Sequence, residues 1–141
     1  MISEEFLHYV WQHKLFYAHQ LSSIKNEKIE IIDIGSKNTN DGPDFFNAKI
    51  KIGEQIWVGN VEIHLKSSDW YKHKHDKNPL YDSVILHVVK EADSICKRTN
   101  GEEIPQLILQ YPTAIEEKYF SFINHQDLYP CAKEIKKLDS F

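Results

Sequence analysis

Two carboxylates, an imidazole and an amine, those of Asp44, Glu62, His64 and Lys66, lie within twenty-three positions of this 141-residue chain and could act on one reactant. Asp44 follows Gly42-Pro43 at the mouth of an apolar run, and eighteen positions later Glu62, His64 and Lys66 alternate with Val61, Ile63 and Leu65. A period of two puts the three polar side chains on one face of a β-strand. Carboxylates are hard oxygen donors suited to Mg²⁺ or Mn²⁺, so Asp44 and Glu62 are the expected metal ligands. A cation there would polarise a phosphate and acidify a water, with Lys66 or His64 orienting that water or offsetting the developing negative charge. A merely solvated strand face shows the same alternation, but the dense neighbouring run Ser67-Ser68-Asp69-Trp70-Tyr71 favours function.

Histidine offers a second chemistry. Four of the eight histidines, His64, His73, His75 and His87, fall within twenty-four positions, and imidazoles beside Glu62 would suit Zn²⁺ or Mn²⁺. His73 and His75 are separated by one residue, so they converge on an ion only where the backbone is extended, because a helix splays them, and the plainer reading is a pair on a solvated loop. Lys72, Lys74 and Lys77 around that pair would form a local positive patch for a phosphodiester. His87 stands inside the apolar run Val84–Val89, where a buried imidazole needs a partner and serves either structure or a metal. Asp69 reads as a helix cap or as a hydrogen-bond partner of a metal ligand. Trp57, Trp70 and Tyr81 are candidates for stacking on bases or for ordinary packing, and Glu5 for approaching the site from the first helix.

Positioning these groups falls to a mixed α/β (α+β) set of elements. Ser3 is a good N-cap with Glu4 and Glu5 in the first turn, and Phe6, Leu7, Val10, Trp11, Leu15 and Ala18 keep helical spacing, which predicts an amphipathic helix over roughly residues 4–20. The β-branched run 29–34 predicts a strand ending at Gly35, and turn formers 36–43 lead into a second strand, 45–52. A third strand, 56–66, follows the turn Gly53-Glu54-Gln55, with a bulge expected near Gly59-Asn60, so three sequential strands form an antiparallel meander. Asp44 shares parity with Phe46, Ala48, Ile50 and Ile52, so facing Glu62 requires a bulge or turn there. A short helix from Ser67-Ser68-Asp69 towards His75 precedes 83–90, whose apolar run fits a central strand buried on both faces. A strand at 104–110, a helix at 113–123 and a polar tail from His125 with Lys133, Lys136 and Lys137 complete the order αβββαβ followed by a further strand and helix.

The length suits one domain over 1–141, with a core at about 4–112 and a C-terminal helix and tail at 113–141. A formal charge of −4 gives no overall attraction for DNA or RNA, so such a partner would need a local basic patch. Cys96 and Cys131 lack metal-ribbon spacing and read as free thiols of a reducing compartment. The acidic N-terminus and the lack of an apolar run near the ~18 residues of a membrane span predict a cytoplasmic protein with no membrane contact.

With Pro43-Asp44 and Glu62-x-His64 at these places, the chain resembles the PD-(D/E)xK nuclease superfamily. That resemblance implies a restriction-endonuclease-like core and Mg²⁺ bound by Asp44 and Glu62. The third motif position, usually lysine, is His64 here, with Lys66 one pleat further along the same face. More closely, Gly42-Pro43-Asp44-Phe45-Phe46-Asn47-Ala48, Gly59-Asn60-Val61-Glu62-Ile63-His64, Ser68-Asp69-Trp70 and Val84-Ile85-Leu86-His87-Val88-Val89 look like an uncharacterised bacterial domain-of-unknown-function family over most of 4–112. Its members are longer, which is compatible with a further C-terminal part after Phe141. The leading expectation is a Mg²⁺- or Mn²⁺-dependent phosphodiesterase or nuclease-like domain. The alternatives are a histidine/carboxylate Zn²⁺ or Mn²⁺ hydrolase and a non-catalytic nucleic-acid or protein binding module on the same scaffold.

Overall fold

In a computed structural model of the chain, which describes residues 2–128, the first helix, α1, spans Glu4–Gln12. The Ser3 hydroxyl accepts the Phe6 amide proton at 3.1 Å and so satisfies one orphan donor of the first turn. The helix is shorter than the expected 4–20 because Lys14 turns into the left-handed region at φ 54°. Leu15 still packs against the core beyond that turn, which is why its spacing resembles a longer helix, and Phe16 stacks on Trp11 at 5.2 Å.

The sheet is built from β1 (Ile29–Asp33), β2 (Ser36–Lys37), β3 (Phe45–Ile52), β4 (Gln55–Lys66), β5 (Val84–Glu91) and β6 (Gln106–Ile108). Its order is β1-β3-β4-β5-β6, with β2 also pairing with β3. The β1-β3-β4 part is the expected antiparallel meander, whereas β4, β5 and β6 run parallel, and the chain crosses between β4 and β5 through α2 (Asp69–Lys72) and two 3₁₀ turns. The fold is therefore mixed α+β, with β5 buried between β4 and β6 as its apolar run predicts.

Two irregularities decide which way the polar residues point. Between Phe45 and Ala48, β3 carries one residue more than the facing segment of β4, and Asn47 takes up the excess at φ 59° with its amide on the Asn60 side chain at 3.1 Å. Phe45, Ala48, Ile50 and Ile52 thereby all face the core, and Asp44 is left on the side of Glu62. The parity change comes two to three residues after Asp44 rather than at it. A second shift, between Asn60 and Val61 in the β4–β5 pairing, bulges Ile85 towards Gly59, where a β-carbon would meet Ile85 Cγ2 at 2.4 Å and Ser83 O at 2.9 Å.

On one face of the sheet, Phe6, Leu7, Val10 and Trp11 of α1 join Val61, Ile63, Leu86 and Val88 in the main core, and Trp11 Nε1 donates to Ile34 O at 3.0 Å. On the other, Trp70 of α2 packs with Val84, Cys96 and Ile104 in a smaller cluster. The helix expected to run towards His75 stops at Lys72, because Lys74 adopts φ 58°; 3₁₀ turns at His75–Lys77 and Pro79–Tyr81 take its place. The last strand is shorter than 104–110, and α3 runs Thr113–Leu128, past the expected end at 123 and into the expected tail. Residues 129–141, with Cys131, Lys133, Lys136 and Lys137, lie outside the described residues. No helix among the described residues is long and apolar enough to cross a membrane.

Replacing Gly59 with alanine should cost about 1–3 kcal/mol, since neither a backbone carbonyl nor a packed isoleucine can yield cheaply. Urea unfolding of Gly59→Ala measures this, and stability within about 0.5 kcal/mol of wild type would show that the β4–β5 contact relaxes freely.

Candidate functional site

In the parallel half of the sheet, Glu62 on β4 stands in register with His87 on β5, and His87 in register with Gln106 on β6. A row of polar side chains thus crosses three adjacent strands, and His64, two residues beyond Glu62, joins it. All four are buried. His64 Nδ1 and His87 Nε2 are 2.7 Å apart, His87 Nδ1 is 3.1 Å from Gln106 Oε1, and Gln106 Nε2 donates to Ser94 O at 2.8 Å. The thiol of Cys96, which burial pushes up to about 12, donates to Ser67 O at 3.3 Å and lies 3.7 Å from Gln106 Oε1.

Glu62 is the hub. Its Oε1 accepts the Asp44 amide at 3.1 Å, Asp44 Oδ2 in return accepts the Ile63 amide at 2.8 Å, and Glu62 Oε2 takes His75 Nε2 at 2.9 Å. His64 Nε2 lies 3.2 Å from the same Oε2, outside hydrogen-bond alignment. Burial disfavours the Glu62 charge, but His64 and His75 more than offset this and hold its pKa at about 2. The reciprocal effect on His64 is upward, the carboxylate outweighing burial. His87, buried and beside His64, is pushed down to about 3 and stays neutral.

The crossover segment closes the site. Tyr81 stacks on His75 with centroids 3.6 Å apart, and Trp70 meets His75 and His87 edge-on or tilted at 5.2 Å. His73 is exposed and sits 5.0 Å from His64 and 5.5 Å from His75, centroid to centroid. Each of His64, His73 and His75 offers one ligand atom, and all three atoms lie within 4.8 Å of one another. Among the described residues no hydrogen-bond partner meets the buried His64 Nε2 or His75 Nδ1, atoms whose lone pairs suit a cation. The His73–His75 pair converges because the helix ends before His75, which removes the splaying that a helix imposes.

On the Asp44 side, α1 contributes two groups that the sequence reading passed over. His8 Nε2 is 3.3 Å from Asp44 Oδ2, and half-buried Glu4 has its pKa raised by burial while feeling the charges of His64, Asp44, His8 and Glu62. Their i, i+4 spacing beside the apolar stripe was the available signal. Burial, with Glu62 nearby, also raises Asp44. Glu5, the residue expected to approach, is exposed. Gln106 was missed as well, though a lone polar residue between apolar neighbours of a strand invites the same question as His87.

Other candidates lie apart. Lys66 is exposed at the far end of β4, 3.8 Å from Glu91. Asp69 Oδ2 accepts the Lys66 amide at 3.3 Å, and its other oxygen is 3.8 Å from Lys72. Trp57 is exposed in the antiparallel part of the sheet, while Trp70 packs inside. Lys72, Lys74 and Lys77 are exposed on the segment that carries His73 and His75.

A family described as a protein of unknown function, DUF2851, matches residues 4–141. No curated protein matches the chain, and no solved structure does.

The two ends of the Glu62–His64 pair titrate in opposite senses. Glu62 lies below its ordinary 4.5, so the stability it contributes is complete above that value and is lost as pH falls towards about 2. His64 lies above its ordinary 6.5, so its contribution is complete below 6.5 and is lost as pH rises through the folded value. This pair alone is most stabilising between 4.5 and 6.5, and His87, held down at about 3 from its ordinary 6.5, loses stability as pH falls below 6.5, so the peak should lie at the upper end of that window. Glu62→Gln should cost about 3–5 kcal/mol there, as expected for removing one side of a buried charge pair, and should flatten both limbs. Denaturant unfolding from roughly pH 3 to 9 tests this; a variant that keeps the wild-type profile would assign the titration to other groups.

Proposed function

The chain belongs to the DUF2851 family of proteins of unknown function, and from its own site we propose that it is a metal-dependent hydrolase of phosphodiesters, acting on DNA or RNA, whose cation is held beside Glu62 by His64, His73 and His75. The observation that carries this reading is the convergence of three imidazoles within 4.8 Å over a buried carboxylate. A donor set rich in nitrogen moves the preference from Mg²⁺ towards Zn²⁺ or Mn²⁺. When bound, such an ion would polarise a phosphoryl oxygen and lower the pKa of a water.

The protein groups divide the remaining work. Glu62 accepts from His75 Nε2 and so turns the ring, leaving Nδ1 with the lone pair. Exposed His73 lies on the solvent side, where a phosphodiester would enter, and Lys72, Lys74 and Lys77 on the same segment supply the local positive charge that the chain's net charge does not. Asp44, raised by burial yet hydrogen-bonded at Oδ2, is the nearby carboxylate suited to accept a proton from water.

The closeness of Asp44 to Glu62 favours a second reading, in which these carboxylates, with Glu4 nearby, bind Mg²⁺ or Mn²⁺ and His64 orients the water. Calorimetric titration of Mg²⁺, Mn²⁺ and Zn²⁺ into wild type, His73→Ala and Asp44→Ala separates the two. His73 is exposed, so its loss leaves the fold intact. The imidazole reading expects Zn²⁺ or Mn²⁺ to bind wild type and His73→Ala to lose more than the roughly 10–100-fold that loss of a supporting partner costs. Metal-dependent cleavage of single- or double-stranded substrates should fall with it. Binding that survives His73→Ala but not Asp44→Ala moves the metal to the carboxylates, and no binding to wild type leaves a non-catalytic binding scaffold.

A further inference from the structure

Gln106, on the edge of the parallel strands, never approaches the imidazole cluster, yet its side chain is almost fully buried and every polar atom of it is committed. A backbone carbonyl only accepts, so the amide group facing Ser94 O at 2.8 Å must be the NH₂. That leaves Oε1, an acceptor, facing His87 Nδ1 at 3.1 Å, and His87 must carry its proton on Nδ1. A neutral ring protonated on Nδ1 has its lone pair on Nε2. Across the 2.7 Å contact, His64 Nδ1 must then be the donor, because two lone pairs at that distance repel. His64 is left with Nε2 as its only variable position, and that atom faces Glu62 Oε2 at 3.2 Å and joins the cluster with His73 and His75.

We infer that Gln106 and His87 form a positioning relay that fixes the proton of His64 on Nδ1 and so hands Nε2 to the metal. This rests on the reading of His64, His73 and His75 as metal ligands. An imidazole free to switch tautomers would spend part of its time with a proton at the position the cation needs, and metal affinity would fall by that fraction and further as the ring loses its fixed orientation and basicity. The relay removes the choice by anchoring the far end of the proton chain to a backbone carbonyl, which has no alternative role. It also requires the three parallel strands in their present register, since a one-residue slip would turn Gln106 or His87 to the opposite face.

The test is long-range ¹H–¹⁵N correlation of histidine-labelled protein, which reports which ring nitrogen carries the proton, paired with Zn²⁺ titration calorimetry on the same samples. Wild type should show a proton on Nδ1 of both His64 and His87, whether or not His64 Nε2 is also protonated. Gln106→Leu removes the acceptor, so both rings should become mixtures and Zn²⁺ affinity should fall roughly 10–100-fold. Gln106→Glu keeps an acceptor for His87 Nδ1 and should restore the tautomer and part of the affinity, an effect that a packing role would not produce. An Nδ1 without a proton on either ring of wild type overturns the relay even if Gln106→Leu proves too unstable to study. So does a Gln106→Leu protein that keeps both tautomers and the affinity. Wild type with the stated tautomers but no Zn²⁺ binding overturns the metal reading and leaves the relay standing.

Discussion

The arrangement of the site follows from the burial of one ionised carboxylate, that of Glu62. An ionised carboxylate taken out of water costs several kcal/mol even after relaxation, and only close counter-charge and donated hydrogen bonds offset it. Glu62 receives both: the Asp44 amide on one oxygen, and His75 with the nearby His64 on the other. Each contributor is itself held from a different direction. Asp44 is tied back to the Ile63 amide, His75 is pressed under Tyr81, and His64 is backed by His87 and Gln106. The carboxylate organises four separate segments, and none of them can shift without leaving a charge uncompensated.

The sheet makes this arrangement possible by combining two kinds of pairing. The antiparallel meander brings Asp44 beside Glu62 through a bulge that changes the side on which Asp44 projects. The parallel half lines up Glu62, His87 and Gln106 as cross-strand neighbours, something only a fixed register achieves. Parallel pairing also needs a crossover, and the β4–β5 crossover supplies the roof of the site. Its left-handed Lys74 ends the helical geometry, so that His73 and His75 fall near the same point as His64.

Much of this was legible in the sequence, for identifiable reasons. Strands β3, β4 and β5 announce themselves by β-branched runs bounded by turn formers, and Phe45–Ile52 begins and ends where expected because Pro43 and Gly53 flank it. The cap of α1 at Ser3 is a local hydrogen bond that local residue types specify. Helix ends were less readable. Lys14 and Lys74 adopt positive φ without being glycine or asparagine, so nothing in their type flags the break. Of the site, the residue types and spacing point to Asp44, Glu62 and the histidines, but alternation alone leaves Asp44 on the core side without a bulge, and the helix expected towards His75 would splay His73 and His75. The contributions of Glu4, His8 and Gln106 are not legible there, because they depend on how a helix crosses a strand and which strands run parallel. Lys66 shows the converse: alternation puts it on the right face, but the strand carries it out into solvent beside Glu91.

The polar row has a thermodynamic implication of its own. Replacing a buried ionic network by apolar groups of similar volume is often neutral or stabilising, so stability alone gives little reason to keep Glu62, His64, His75, His87 and Gln106 together inside a domain with an ample core on its other face. A charge pair surrounded by ordinary packing could end at Glu62 and one histidine. Here the polar chain continues to a backbone carbonyl at one end and to an exposed imidazole at the other. That asymmetry, one end anchored and one end open, is what a group needs if it is to be rigid in geometry and still accessible to a reactant. It is also why the weight of the functional reading falls on the open end at His73, where burial ceases and the three imidazoles still lie within reach of one ion.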